Sequence, residues 1–518
     1  MLTHRRCRAV ALSFGIMVAP AWGQVVFVRA DAPPGGDGLT WATALRDVQP
    51  AIDLADALGF EVWVAQGVYV PNGASRSASF TLRGSVVLRG GFAGTEQAAS
   101  EAHPDTFVTV LSGDRTGDGP TSDDLYSVVT PAAGSTPTLE GVVVRGGRAD
   151  GSSTPTDRGA GVRVIDADLT LRNVVIERCW ATRGAGAYLE QGTLNVIESE
   201  FRQNTASLEG GGILAYGGLS VDASEFHGNT ASFGGAISAC CGTNDIRDSL
   251  FVSNVASNGG AVQIPSGTAR IASCDFLSNA ASEGGALSST SNNTYIAACR
   301  FISNTGTSGG AMWLIGRQNI ASCVFVRNVA LQRGGAVYAQ GNTVFANNTV
   351  YANAALIDGG GFATLGGLPK IDNCVLWSNT DNAGGVFAAQ VRAVGGVPSV
   401  NTSCVEGWTL AQGGVGNMGS APMFVGVAGP DGILGTIDDD PQLSVNSPAV
   451  EAASLASLPA DLADVDRDGD TSERLPLDAS RRTRIRDANL DRFAVLDMGG
   501  LEAGNGPRKI HPNEVSGD

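Results

Sequence analysis

The sequence predicts an all-β protein: a right-handed parallel β-helix of about 25-residue coils with a short N-terminal capping helix. Three observations predict it. Glycine marks recur at Gly159, Gly184, Gly210, Gly234, Gly259, Gly284, Gly309, Gly334, Gly359 and Gly384, spaced 25, 26, 24 and then 25 six times. A second mark keeps the same phase: Phe201, Phe226, Phe251, Phe276, Phe301 and Phe325, with Ile176, Val350 and Leu376 in equivalent places. Three residues after most of these comes an asparagine, from Asn204, Asn229 and Asn254 through Asn279, Asn304 and Asn328 to Asn353 and Asn379. Finally, no unit shows a helical period. Each holds short alternating runs such as AMWLI and ASCVFV between Gly, Asn, Ser and Thr turns. Such a unit cannot bury its own apolar face, so it stacks on its neighbours at the roughly 4.8 Å spacing of paired strands.

From the N-terminus, MLTHRRCR, AVALSFGIMVAP and AWG read as the basic, apolar and small-residue parts of a signal peptide over residues 1–23. Residues 24–60 read as an N-terminal cap, with an amphipathic helix from Asp47 to Leu58 whose face is Val48, Ala51, Ile52, Ala55 and Leu58. Pro50 is tolerated there because it falls in the first turn. A helix in that position covers an otherwise open sheet edge. Glu61 to Val70 reads as a strand, residues 61–158 as early irregular coils, 159–410 as the regular repeats, and 411–518 as an Asp-rich, partly irregular closing region.

Within each repeat the paired glycines permit positive φ and close backbone approach. Phe stacks inside, and Asn takes a left-handed turn while its amide bonds its copies in adjacent coils. Cys274, Cys299, Cys323 and Cys374 lie two residues before the Phe position, where other coils place Ser199, Ser224, Ser249 and Asn348. They read as a ladder of buried free thiols rather than disulfides, because strand-locked side chains seldom reach the required dihedral.

Composition narrows the function. Glycine makes up 70 of 518 residues, 16% of residues are charged, and the formal net charge is −17. That balance argues against nucleic acid and anionic lipid as partners. After the leader no segment is long and apolar enough to span a membrane. With only Lys370 and Lys509 as lysines, the glycine pairs are architecture, not a phosphate-binding loop.

The GGA-plus-aliphatic mark alternating with FxxN resembles the repeat of the chlamydial polymorphic outer membrane proteins. More broadly, the chain resembles secreted bacterial parallel β-helix proteins of the pectin-lyase-like superfamily. The repeat match covers about Gly159 to Gln390, and GGDGLTWATALRDVQPAIDLADALGFEVWVAQGVYVP resembles the opening segment of the same proteins. The resemblance implies an exported protein at the cell surface or outside the cell. It also implies that any enzymatic activity would be polysaccharide lysis or glycoside hydrolysis, with outward carboxylates, Arg or calcium on neighbouring coils.

The candidate residues are few. One outward row, at the fifth place of each unit, holds Arg163, Tyr188, Leu214, Ser238, Gln263, Ser288, Trp313, Tyr338, Ala363 and Ala388. It offers no carboxylate, so glycosidic hydrolysis by paired acids is excluded there. Its aromatics, Tyr188, Trp313 and Tyr338, are candidate platforms for stacking a sugar ring. A second row, just before the Phe ladder, holds Glu200, Glu225, Leu250, Asp275 and Arg300. Glu200, Glu225 and Asp275 are its catalytic candidates, because like charges one coil apart raise one pKa or recruit a cation.

For structural calcium, Asp464, Asp466, Asp468 and Asp470 in DVDRDGDTSE match the first half of an EF-hand loop, but Leu475 stands where the bidentate Glu belongs. Looser clusters are Asp431 with Asp438, Asp439 and Asp440, and Asp114 with Asp118, Asp123 and Asp124. The leading expectation is a non-enzymatic, adhesin-like protein whose rigid face binds a polysaccharide or cell-surface partner. A polysaccharide lyase or hydrolase, and a structural envelope component, are the alternatives.

Overall fold

The structure, a computed structural model, describes residues 24–504 apart from positions 74, 120 and 486–494. The signal peptide read over residues 1–23 lies outside the described residues. Three long parallel sheets run the length of the molecule, as the repeat requires. The first has 14 strands, from Val25–Val28 to Ser399–Asn401; the second has 13, from Gly67–Tyr69 to Cys404–Val405; the third has 12, from Phe80–Leu82 to Val391–Ala393. Each regular coil visits the third, first and second sheets in turn, and neighbouring coils pair in register, as Glu200–Arg202 does with Glu225–His227. The fold is a parallel β-solenoid.

The ladders fill its core. The rings of Phe201, Phe226, Phe251, Phe276, Phe301 and Phe325 stack at centroid spacings of 4.7–5.0 Å and are almost wholly buried. The Asn ladder is buried too. Asn279 Nδ2 donates to Asn304 Oδ1 at 3.0 Å and to Phe251 O at 2.9 Å, while the Asn279 Oδ1 accepts from both Asn254 nitrogens. Its place in the turn differs from the expectation. The left-handed residue is the one before each Asn, at Gln203, Ser253, Ser278, Ser303, Arg327, Ala352 and Ser378 with φ of 54–57°. The Asn side chain is thereby directed inward to plug the corner rather than outward from it. A second left-handed row, including Glu198, Ala223, Asp248, Ser273 and Ala298, makes the bend between the first and second sheets.

Both glycines of each pair have a reason. The first takes positive φ, 68° at Gly309, and a Cβ on the second would stand 2.0 Å from the next coil's carbonyl at Gly310. Cys274, Cys299, Cys323 and Cys374 are free and buried. Cys179, unplaced by the sequence reading, heads the Asn ladder, where its backbone N–H donates to Asn204 Oδ1 at 3.0 Å.

At the N-terminal end, a strand at Val25–Val28, a helix at Val48–Leu58 and a strand at Glu61–Ala65 form a βαβ unit with parallel strands. The helix buries Val48, Ala51, Ile52 and Ala55 as its pattern predicts, but Leu58 is exposed beside the left-handed Gly59 that ends it. The strand read over Glu61 to Val70 is two, Glu61–Ala65 and Gly67–Tyr69, because the chain turns at Gln66 from the first sheet to the second. In the last unit the expected strand around Ala388 is a helical turn, Val386–Gln390. Arg392, not Ala388, continues the outward row beyond Ala363.

The region after residue 411 does more than finish the stack. It runs back along the outside of the solenoid as a strap, burying Leu458, Ala463, Val465 and Leu475 against Ala272, Ala297, Ala298 and Ala321. Polar contacts tie it to many coils. Arg247 Nη1 donates to Asp464 O at 2.9 Å, Ser303 Oγ to Gly435 O at 2.8 Å, Arg481 Nη2 to Ser273 O at 2.7 Å, and Asn373 Nδ2 to Ser454 O at 2.8 Å. No helix among the described residues is long and apolar enough to cross a membrane.

Candidate functional site

The second sheet carries a cluster of ionisable side chains on the solenoid surface. Its strands Val175–Glu177, Glu200–Arg202 and Glu225–His227 pair in parallel, so Val175, Glu200 and Glu225 form one column and Glu177, Arg202 and His227 another. The columns flank the buried residues Ile176, Phe201 and Phe226, and the alternation of a strand makes both point outward. Beside them opens a groove of about 260 Å³, lined by Pro104, Asp105, Thr109, Asn173, Glu200 and Arg202 among others.

Within these columns the acids are tied to bases. Arg202 Nε donates to Glu177 Oε2 at 2.8 Å and its Nη1 to Glu200 Oε2 at 3.1 Å. Partial burial works against the Arg202 charge, yet the hydrogen bonds and charges of Glu177 and Glu200 hold its pKa above the ordinary arginine value. Glu225 Oε2 lies 2.7 Å from His227 Nε2. Glu200 and Glu225 thus stand side by side as the sequence places them, each with a partner of its own. Glu177 and His227 belong to the row just after the Phe position, which the same 25-residue period displays.

Asp275, the third catalytic candidate, is separated from this cluster by Leu250 and is not open to solvent. Arg300, itself buried, grips both its carboxylate oxygens at 2.7 Å and donates a third hydrogen bond to Ile437 O at 2.8 Å. The strap covers this pair, so Asp275 is an anchor point. The strap thereby divides the second sheet: later coils are covered, and the coils of Glu200 and Glu225 remain open.

The aromatic row also differs from the expectation. Tyr188 lies outside the core, as its position requires, but is only 1% exposed: Arg158 Nη1 donates to its hydroxyl at 3.0 Å, and Tyr216 packs edge-on at 6.0 Å. Tyr338 is 5% exposed. Trp313, in register between Ser288 and Tyr338, is the half-exposed aromatic of the three. Outward direction was legible from the period. The cover supplied by neighbouring long side chains was not, so Tyr188 and Tyr338 are not open stacking platforms.

Arg163 sits next to Tyr188 in the same row. Burial, with the nearby charge of Arg158, lowers its pKa, and among the described residues no carboxylate pairs with it.

Of the acidic clusters, one brings carboxylate oxygens together. Asp464, Asp466 and Asp468 offer oxygens within 4.8 Å of one another, as do Asp461, Asp466 and Glu473. Asp470 stands apart, accepting from Ser472 N and Oγ. Near residue 431 no such grouping occurs among the described residues: Asp438 accepts from Asp431 N and Thr436 Oγ1, and Asp440 faces Arg482 at 3.4 Å. Asp114, Asp118, Asp123 and Asp124 lie near one another, but no three of them bring carboxylate oxygens within 4.8 Å.

No protein-family model matches the chain, and no curated protein matches it. Among solved structures it is similar to the crystal structure of pectate lyase Pel9A, with a TM-score of 0.31 and 12% identity over 92% of this chain and 96% of that one. The parallel solenoid rests on the strand register described above.

Proposed function

We propose that this chain is a non-enzymatic, extracellular or cell-surface β-helix protein that holds a polysaccharide chain along the open part of its second sheet. The observation that carries the reading is the state of the acids there. Buried Glu177 and the more open Glu200 and Glu225 are each engaged by Arg202 or His227, which fixes Glu200, Arg202, Glu225 and His227 as an array of hydrogen-bond acceptors and donors beside a groove. Fixed polar groups on a rigid strand recognise hydroxyl-rich ligands with little ordering cost. Glycoside hydrolysis needs one protonated and one free carboxyl poised across a bond, and a guanidinium held this firmly protonated is a poor base for elimination. Half-exposed Trp313 supplies a further contact on the neighbouring face.

The test is retention on gels cast with neutral and acidic polysaccharides, combined with an assay for new reducing or unsaturated ends. Retention without product is expected, with at least a tenfold loss of affinity in Arg202→Ala. Absence of retention on every glycan, or product at a substoichiometric dose of protein, overturns the proposal.

One observation favours a lyase as the second reading: Arg163, without an acidic partner among the described residues and with its pKa lowered by burial, has the character an eliminating base requires. Under that reading Arg163→Ala abolishes product formation while Arg202→Ala does not.

A further inference from the structure

The strap contains a feature that the glycan reading does not use. Between Asp461 and Leu475 the chain makes a tight loop, and two overlapping triads of carboxylates share Asp466: Asp461 with Glu473 on one side, Asp464 with Asp468 on the other. Acidic side chains crowd on surfaces without binding anything, so their number decides little. What distinguishes this cluster is its floor. Asp461 is completely buried, its Oδ2 accepts from Val465 N at 2.8 Å, and among the described residues its Oδ1 has no hydrogen-bond partner. Glu473 Oε1 is likewise buried and, among the described residues, without a partner. Bare carboxylate oxygens facing other carboxylates are costly unless a cation or a proton joins them.

The basic residues nearby do not meet that need. Arg467, within the loop, turns away to pair with Asp222 and Asp248 on the solenoid. Arg474 donates to Leu455 O. Arg247 approaches from the solenoid side, but it spends its Nη1 on Asp464 O and stays 3.9 Å from the Asp464 carboxylate. Among the described residues, Asp461 and Glu473 therefore face Asp466 with no basic group between them.

We propose that Asp461, Asp464, Asp466, Asp468 and Glu473 form a divalent-cation site, suited to calcium, that clasps the strap onto the flank of the solenoid. All donors are hard oxygens, and five carboxylates exceed what magnesium accepts while keeping its water shell. Asp461 and Glu473 do what the missing twelfth-position Glu of an EF-hand would do: they close the coordination from outside the DxDxD run. Because the same loop is pinned to the solenoid by Arg467 and Arg247, binding at one side of the loop stabilises docking at the other.

The experiment uses the whole protein freed of metal with EGTA. Calorimetric titration with CaCl2 is expected to show saturable binding, with MgCl2 at least tenfold weaker. Trypsin is expected to cut the strap at Arg467 or Arg474 in EGTA and to be blocked by calcium. Asp466→Asn, at an exposed position, is expected to lower calcium affinity at least tenfold. Asp461→Asn gives a signature that loss of a merely structural residue would not: a higher melting temperature than wild type in EGTA, together with a smaller rise on adding calcium. The proposal is overturned if 10 mM CaCl2 produces neither heat nor protection. It is equally overturned if Asp466→Asn binds as wild type does, or if Asp461→Asn melts lower in EGTA.

Discussion

A single asparagine carries more of this fold than its size suggests. Truncating Asn279 to Ala removes the acceptor of two Asn254 nitrogens and the donor to Phe251 O, all buried. With each orphaned group costing about 1–3 kcal/mol, Asn279→Ala is expected to lower stability by about 3 kcal/mol or more in urea unfolding. Phe276→Ala leaves a hole in a continuous ring stack and is expected to cost about 3–5 kcal/mol by the same measurement. The thiols give a different readout. Among the described residues Cys241 is the exposed cysteine, with its sulfur 2.7 Å from that of Cys240; burial, reinforced by Cys241, pushes the Cys240 thiol up to about 12. Iodoacetamide on the native protein is expected to label one cysteine, and mass mapping after digestion should place it at Cys241.

At the scale of one coil, the glycine pair is the part least open to change. Gly310→Ala would drive a methyl against Gly335 O, a backbone atom held by the next coil and unable to yield. Its melting temperature is expected to fall by more than 10 °C, whereas Gly366, where a Cβ meets nothing within 4 Å, is expected to accept Asn with a far smaller loss. Coils of this kind are legible because each position recurs: ten glycine marks and eight asparagines show phase, and phase fixes which residues face in. Events that occur once are not. Neither the burial of Tyr188 under Arg158 and Tyr216 nor the recruitment of Asp461, three residues before the acidic run, leaves a periodic trace. The left-handed corner could not be read from the asparagine, because Gln203, Ser253 and Arg327 in the left-handed seat share no chemistry. What they share is a neighbour whose side chain must turn inward.

For the molecule as a whole, acid and its removal should act through buried carboxyls. Burial pushes Asp124 up to about 6, against the hydrogen bond from Thr121 N and with help from the charges of Asp114, Asp123 and Asp118. A carboxyl whose folded pKa exceeds its unfolded value near 4 binds a proton on folding. Its contribution is therefore favourable at low pH and is lost as pH rises from about 4 through about 6. Asp124→Asn is expected to flatten that part of the stability curve, measured as melting temperature from pH 4 to 7 in EGTA, without changing the curve above it.

The strap that turns back over the flank also decides how the molecule bears load. A pull on the stacked coils is resisted by whole sheets of parallel hydrogen bonds, whereas a pull on the strap meets separate fastenings at Asn373, Ser303, Ser273, Arg247 and Asp222, spaced along the axis. Pulling on the strap in a force spectrometer is expected to release these contacts in separate steps before the sheets behind them yield.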